Sequence, residues 1–483
     1  MPSELAPPEP GDQAPGDGRR SPNYAVRRAM VAGTAVVVTA VAVAVAVIAI
    51  RGERGDGGGP RAPTWDAIAL VNQVNGAVRV VGDDGDEITT VRGTGRVEAV
   101  HAGGDRLALV GATQIALVGI AGDEPIVIPI ERGSTVSRIG TSGSFTLAVA
   151  PAAGGNLTLI DAADGTQLDV GQVAEQTSPM LLAGSIRPDA EGRAFAIGDG
   201  RNFQTVVVRF GRDDATFFPD VPMAVADDLV VTSQTVGSSA ELGLFGADGE
   251  RRASIASEQR PIGGLIAGDR FVYVSDAGAI FAVTAGSDAP RRLGAIALPP
   301  GETVQSVAPA LDANRLVVAG AQFQAIVDLD GAILFQTTFA STTEPVTPAL
   351  RWRCLPVGGS GVFTSLVDLE SGETLADLQG GDVTAVSGDG CGVQVARDGG
   401  RSIVTGSGST ALPASVSTAW ISPDSTAAVL VDPGASASLV ALQPDGNDGN
   451  DDGDGGAEDG RDDDANEPIE LGSVDGFVAF LDR

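Results

Sequence analysis

The chain has 483 residues, 31 basic and 63 acidic, for a formal charge of −32; every basic residue is Arg, and the sequence holds one His (His101) and two Cys (Cys354, Cys391). A chain without Lys cannot form a Schiff base or a P-loop contact, and one His with two Cys cannot build a structural zinc site. Acidity of this degree also lacks the cationic surface that nucleic acid requires.

Residues 1–28 are Pro-rich without apolar periodicity and read as a disordered cytoplasmic tail. Ala29–Ile50 follows without a charge, almost all Ala and Val. At 1.5 Å per residue this predicts a single transmembrane helix of roughly 33 Å, because an isolated strand cannot satisfy its backbone in lipid. Arg19, Arg20, Arg27 and Arg28 precede the span, which places the N-terminus in the cytoplasm. A cleaved signal peptide is the rival reading, and Arg27-Arg28 matches the pair of a twin-arginine export signal without its usual hydrophobic followers. Residues 51–63 are a flexible linker.

From residue 64 to 483 short Val/Ile/Leu runs alternate with Gly-, Asp- and Ser-rich turns, which predicts an all-β domain. A strand, an Asp–Gly turn and a second strand recur around Asp83–Asp86, Asp161–Gly165, Asp248–Gly249, Asp328–Gly331 and Asp368–Gly372. Gly supplies the positive φ of such hairpins and Asp bonds its own backbone. With a second strand pair upstream, units begin near Arg96, Ser134, Thr177, Val221, Pro261, Thr303, Val346, Val383 and Val416. Four strands in roughly 40 residues is the period of a β-propeller blade. The segment 67–91 looks like a blade short of its first strand, and 474–481 is a lone strand that would complete it and close the ring. The expected count is about eight blades, within seven to ten. Two smaller β domains or a sandwich array are the alternative architectures.

These repeats resemble the propellers of the quinoprotein-like and surface-layer-type (YVTN-like) group, over nearly all of 64–483, by period and turn pattern. Close kinship with the quinoprotein enzymes would imply a cofactor, but their repeated Trp docking motif and adjacent cysteines are absent: Trp65, Trp352 and Trp420 stand singly. The regular pairs of WD40 repeats are missing, and Ser422-Pro-Asp424 matches only the first half of a sialidase-type box.

No catalytic residue is assigned. His101, the one possible member of a nucleophilic triad, ends a predicted strand at a turn and reads as a surface histidine. Cys354 and Cys391 lie 37 positions apart in successive units and are expected to form a disulfide outside the cytoplasm. An insertion over 444–468 separates two strands of the last unit; within it Asp445–Glu467 carries nine Asp and two Glu against one Arg. Asp448, Asn450, Asp452 and Asp459 have the oxygen-ligand spacing of a calcium loop, although a solvated, self-repelling loop is the simpler account. No other cofactor or metal is expected.

The functional expectation is a membrane-anchored, extracytoplasmic, non-enzymatic binding or scaffold module for a protein or cell-envelope ligand. The alternatives are an envelope hydrolase or lyase using carboxylates or a bound metal in the propeller channel, and calcium-dependent adhesion through the insertion. The Arg-only basic set and the Ala, Val, Gly and Asp richness suggest a GC-rich genome and a bacterial envelope.

Overall fold

The computed structural model describes residues 65–139, 145–152, 155–174, 181–189, 192–199, 202–236, 239–339, 346–359, 362–442 and 468–481. The tail, the predicted spanning segment, the linker and the calcium-loop candidates Asp448, Asn450, Asp452 and Asp459 lie outside these residues. Among the described residues no helix is long and apolar enough to cross a membrane. The described helix is a single turn, α1 (Val170–Val173), whose Gln172 amide donates to the Asp169 carboxylate at 2.8 Å.

The other regular elements among the described residues are antiparallel strands, arranged in nine sheets that form the blades of a propeller. In chain order their first strands are Ala67–Asn72, Ala99–Gly103, Thr135–Ile139, Leu181–Pro188, Val221–Val225, Pro261–Ala267, Ser306–Ala310, Cys354–Gly359 and Thr418–Ile421, numbered here as blades 1 to 9. Eight blades have four strands, called a to d from the inside outward. The a strands of successive blades touch, as between Val221–Val225 and Pro261–Ala267, or Pro261–Ala267 and Ser306–Ala310.

The core explains why the blades form a ring. Each blade buries both faces, so apolar residues on successive strands meet those of the next blade rather than one central nucleus. Nine apolar clusters result, one at each interface. Val207 and Phe218 of blade 4 meet Val230 and Phe245 of blade 5. Val429 and Leu439 of blade 9 meet Ile68 and Phe480 of blade 1.

Ring closure follows the expectation. Gly476–Leu481 pairs with Ala67–Asn72 along its whole length, from Ala67 opposite Leu481 to Asn72 opposite Gly476, and becomes the a strand of blade 1. The Asp–Gly segments at 83–86, 161–165, 248–249 and 328–331 are c–d hairpins, and the one at 368–372 joins the second and third strands of the remaining, six-stranded blade. In the turn at 328–331, Asp328 Oδ1 accepts from the amides of Asp330 (2.9 Å) and Ala332 (2.8 Å). Gly331 sits there at φ +87, where a Cβ would stand 2.5 Å from Leu293 Cβ of the neighbouring blade, so the position admits no side chain.

The ring has nine blades, within the expected seven to ten and one above the central count of eight. Blade 8 is six-stranded and holds both units that begin near Val346 and Val383. Its strand Thr374–Val386 pairs through its first part with Val362–Asp368 and through its last part with Gly392–Arg397. Positive φ at Gln379 (+53) and Gly380 (+74) turns the strand at the changeover.

Candidate functional site

In the four-stranded blades the described a–b and c–d turns leave one side of the ring, and the described b–c turns and blade-to-blade connections leave the other. Cross-bonds respect this division: Phe210 N donates to Arg193 O on the first side, and Phe339 N donates to Gln322 O on the second. Charge divides with it. The a–b and c–d turns hold Asp83, Asp84, Asp123, Asp228, Asp248 and Asp330 among many other carboxylates, relieved locally by pairs such as Arg270–Asp330 at 3.1 Å. Ser436–Ala441 and Ile469–Ser473, the strands on either side of the insertion, pair as c and d of blade 9. The described chain begins on the acidic side, since Asp66 N donates to Leu481 O at 3.0 Å.

The opposite side carries charge of both signs and a smaller net charge, with Asp276 and Asp432 in two of its b–c turns and Arg92, Arg96 and Arg132 in its connections. The b–c turns at 73–76, 111–113 and 321–322 have no charge, and the connections mix signs, as in Glu131 with Arg132 and Glu258 with Arg260. Val74, Phe203, Val221 and Val362 are exposed there.

His101 departs from its expected place. It lies in the a strand Ala99–Gly103, only 4% exposed, because an innermost strand is packed by the blades on either side. Burial, and then the charge of Arg138, push its pKa down to about 4, so the ring is neutral at physiological pH. Its Nε2 has no hydrogen-bond partner. Arg138, on the neighbouring a strand Thr135–Ile139, donates to Ala102 O at 2.7 Å and lies over the Phe145 ring at 4.8 Å. Among the described residues, no group of three or more His, Cys, Asp or Glu gathers in metal-binding geometry.

Cys354 and Cys391 form the expected disulfide, with Cα atoms 4.8 Å apart. Beside it is a cluster that the sequence did not announce. Ser387 opens the turn after Thr374–Val386 in blade 8 and Ser422 the a–b turn of blade 9, each hydroxyl donating to the Asp two residues on, Asp389 at 2.6 Å and Asp424 at 2.7 Å. Ser425 of blade 9 reaches Asp389 Oδ1 of blade 8 at 3.0 Å, and the Cys391 amide donates to the same oxygen at 2.9 Å. The recurring Ser-x-Asp was the available signal, but the meeting across blades is tertiary. These bonds tie two blades together and the carboxylate is consumed by them.

Burial raises the Asp389 carboxyl above the ordinary carboxylate range, against the lowering effect of hydrogen bonds from Ser387, the Cys391 amide and Ser425, while Asp424 adds to the rise. A raised folded-state pKa means that this group's stabilising share is complete below the unfolded pKa and is lost as pH rises through the raised value. Asp389→Asn keeps an acceptor for the three donors and is expected to match or exceed the wild type at neutral pH. Asp389→Ala leaves the donors unpaired and is expected to cost about 1–3 kcal/mol. Urea unfolding from pH 4 to 8 checks both; an Asn variant as damaged as the Ala variant would refute the assignment.

No protein-family model matches the chain, and no curated protein matches it either. Among solved structures it is similar to BamB from Moraxella catarrhalis, at 10% identity over 71% of this chain and 99% of that one, with a TM-score of 0.38. It is similar to the dihydro-heme d1 dehydrogenase NirN, at 13% identity over 65% and 73% of the two chains, TM-score 0.37. A eukaryotic initiation factor gives 9% identity over 87% and 97%, TM-score 0.44. At such identities the likeness extends no further than the fold.

Proposed function

We propose that the chain is a membrane-anchored, extracytoplasmic propeller that binds a protein or cell-envelope ligand without catalysing a reaction. Residues 29–50 act as the anchor, with 1–28 on the cytoplasmic side. The division of charge between the two sides of the ring carries this reading. A rigid stack of blades that keeps one side acidic and the other of smaller net charge, with apolar side chains in its turns, is suited to binding, because turns vary while the sheets hold their positions.

In situ crosslinking of the tagged full chain in its native membrane, followed by recovery under denaturing conditions, tests the reading. Discrete higher-mass adducts are expected, together with resistance of the chain to alkaline extraction from the membrane. Extraction into the soluble fraction would remove the anchor, and a chain that yields no adduct would remove the binding role.

A further inference from the structure

The inner wall of the ring carries a charge opposite to that of the chain. Among the described residues, the a strands of the eight four-stranded blades hold no Asp or Glu, and their charged residues are Arg138 in Thr135–Ile139 and Arg187 in Leu181–Pro188. Each is the next-to-last residue of its strand, so both stand at the end that leads into the a–b turns. Arg351 comes to the same end. The carbonyls on either side of it, Leu350 O and Trp352 O, accept from Asp312 N at 2.8 Å and Leu311 N at 3.0 Å, in the a–b turn of blade 7.

Arg138 and Arg351 share one space. Arg138 keeps contact with solvent, yet burial and then the charge of Arg351 push its pKa down to about 9. Blades 3 and 7 lie on different parts of the ring, so guanidiniums held on them sense each other across its centre. Arg187, on the next blade from Arg138, is exposed, and the surrounding protein still disfavours its charge. That combination belongs to a side chain on the wall of a water-filled channel. Beside Arg138 is His101, 4% exposed, with no hydrogen-bond partner for Nε2. A neutral imidazole can offer an N–H to an acceptor. Like charges brought together between low-dielectric walls raise one another's cost, and an anion among them offsets it. Guanidinium forks match an oxyanion, and cations converging from separate blades suit a multiply charged ion better than a single carboxylate.

We propose that the end of the channel framed by Arg138, Arg187 and Arg351, with His101 beside them, binds an oxyanion of the phosphate class, as free phosphate or as the phosphate group of a small ester. This site is separate from the protein or envelope ligand proposed above, and neither depends on the other.

The single His makes the test specific, because a histidine label reports on this place alone. The full chain in detergent, isotopically labelled at the histidine nitrogens, is titrated with inorganic phosphate, glycerol phosphate or acetate, with chloride holding the ionic strength constant. The ring resonances of His101 are expected to shift and saturate with inorganic phosphate or with glycerol phosphate, the tighter of the two telling a free ion from an ester. Acetate is expected to leave them in place. Arg351→Gln keeps the two backbone bonds that flank it, and Arg187→Gln alters an exposed position. Each is expected to weaken phosphate binding about tenfold or more, with a melting point close to that of the wild type. Unmoved resonances with both phosphates, an equal response to acetate, or wild-type affinity in both Arg variants would each overturn the proposal.

Discussion

Deleting residues 474–483 is expected to abolish cooperative unfolding and leave a protein that aggregates. The closing strand Gly476–Leu481 supplies every inner hydrogen-bond partner of Ala67–Asn72. It also buries Val478, Phe480 and Leu481, with Phe480 edge-on to Trp65 at a centroid distance of 5.1 Å. Its loss exposes a long apolar edge next to uncovered core, a template for pairing between chains. The point version is smaller and easier to measure: Phe480→Ala should cost about 3–5 kcal/mol. Val127→Ser, on an exposed outer-strand position, should stay within about 0.5 kcal/mol. Urea unfolding followed by tryptophan fluorescence, with size-exclusion chromatography of the truncated form, gives the comparison. A truncated chain that remains monomeric and unfolds with the wild-type midpoint would show that the ring does not depend on this strand.

Replacing both Cys354 and Cys391 by Ser should cost about 3–4 kcal/mol, the loop-closure value for a bridge across 37 positions. The bridge joins the start of the strand Cys354–Gly359 to the start of Gly392–Arg397, within the six-stranded blade. It works beside backbone bonds from Arg353 N and Cys354 N to Asp389 O, at 2.7 and 3.3 Å. Blade 8 is therefore the part most affected by reduction, and hydrogen exchange in the reduced protein should quicken there first. Two freely alkylated cysteines in the native, unreduced protein would end this account, and an unchanged urea midpoint in the double variant would show that the bridge adds nothing.

The features legible in the sequence were those encoded over a few neighbouring residues or by a strict period. The Asp–Gly pairs at 161–165, 248–249 and 328–331 became outer hairpins because the Asp side chain and the Gly φ define the turn locally. Closure was legible because a three-strand unit and a lone strand stood at opposite ends of one repeat. The blade count was legible as a range of seven to ten, and its exact value was not, because it turns on Gln379, an ordinary residue at positive φ that lets one strand run between two units. The position of His101 was missed for a related reason: five residues ending in Ala-Gly look like an exposed strand end, and only the neighbouring blades bury them. The Ser387–Asp389–Ser425 cluster brings together residues of successive blades, so no local pattern marks it. Of the candidate binding side, the sequence disclosed only the strand-and-turn period, and the fold was needed to show which turns share one side.

Closure by the last strand also sets an order in time. Ala67–Asn72 is made among the first residues of the domain and waits for a partner that is made last, so nearly every blade can stack before the ring is sealed. Pairing between the two ends of a domain is slow, since chain entropy is lost before the contact returns anything. Until then the first blade offers an inner edge that the closing strand of another copy could fill, producing an exchanged dimer. A chain halted before Leu481 would keep that edge indefinitely, which gives a quality-control protease or chaperone one local mark by which to tell an unfinished molecule from a finished one.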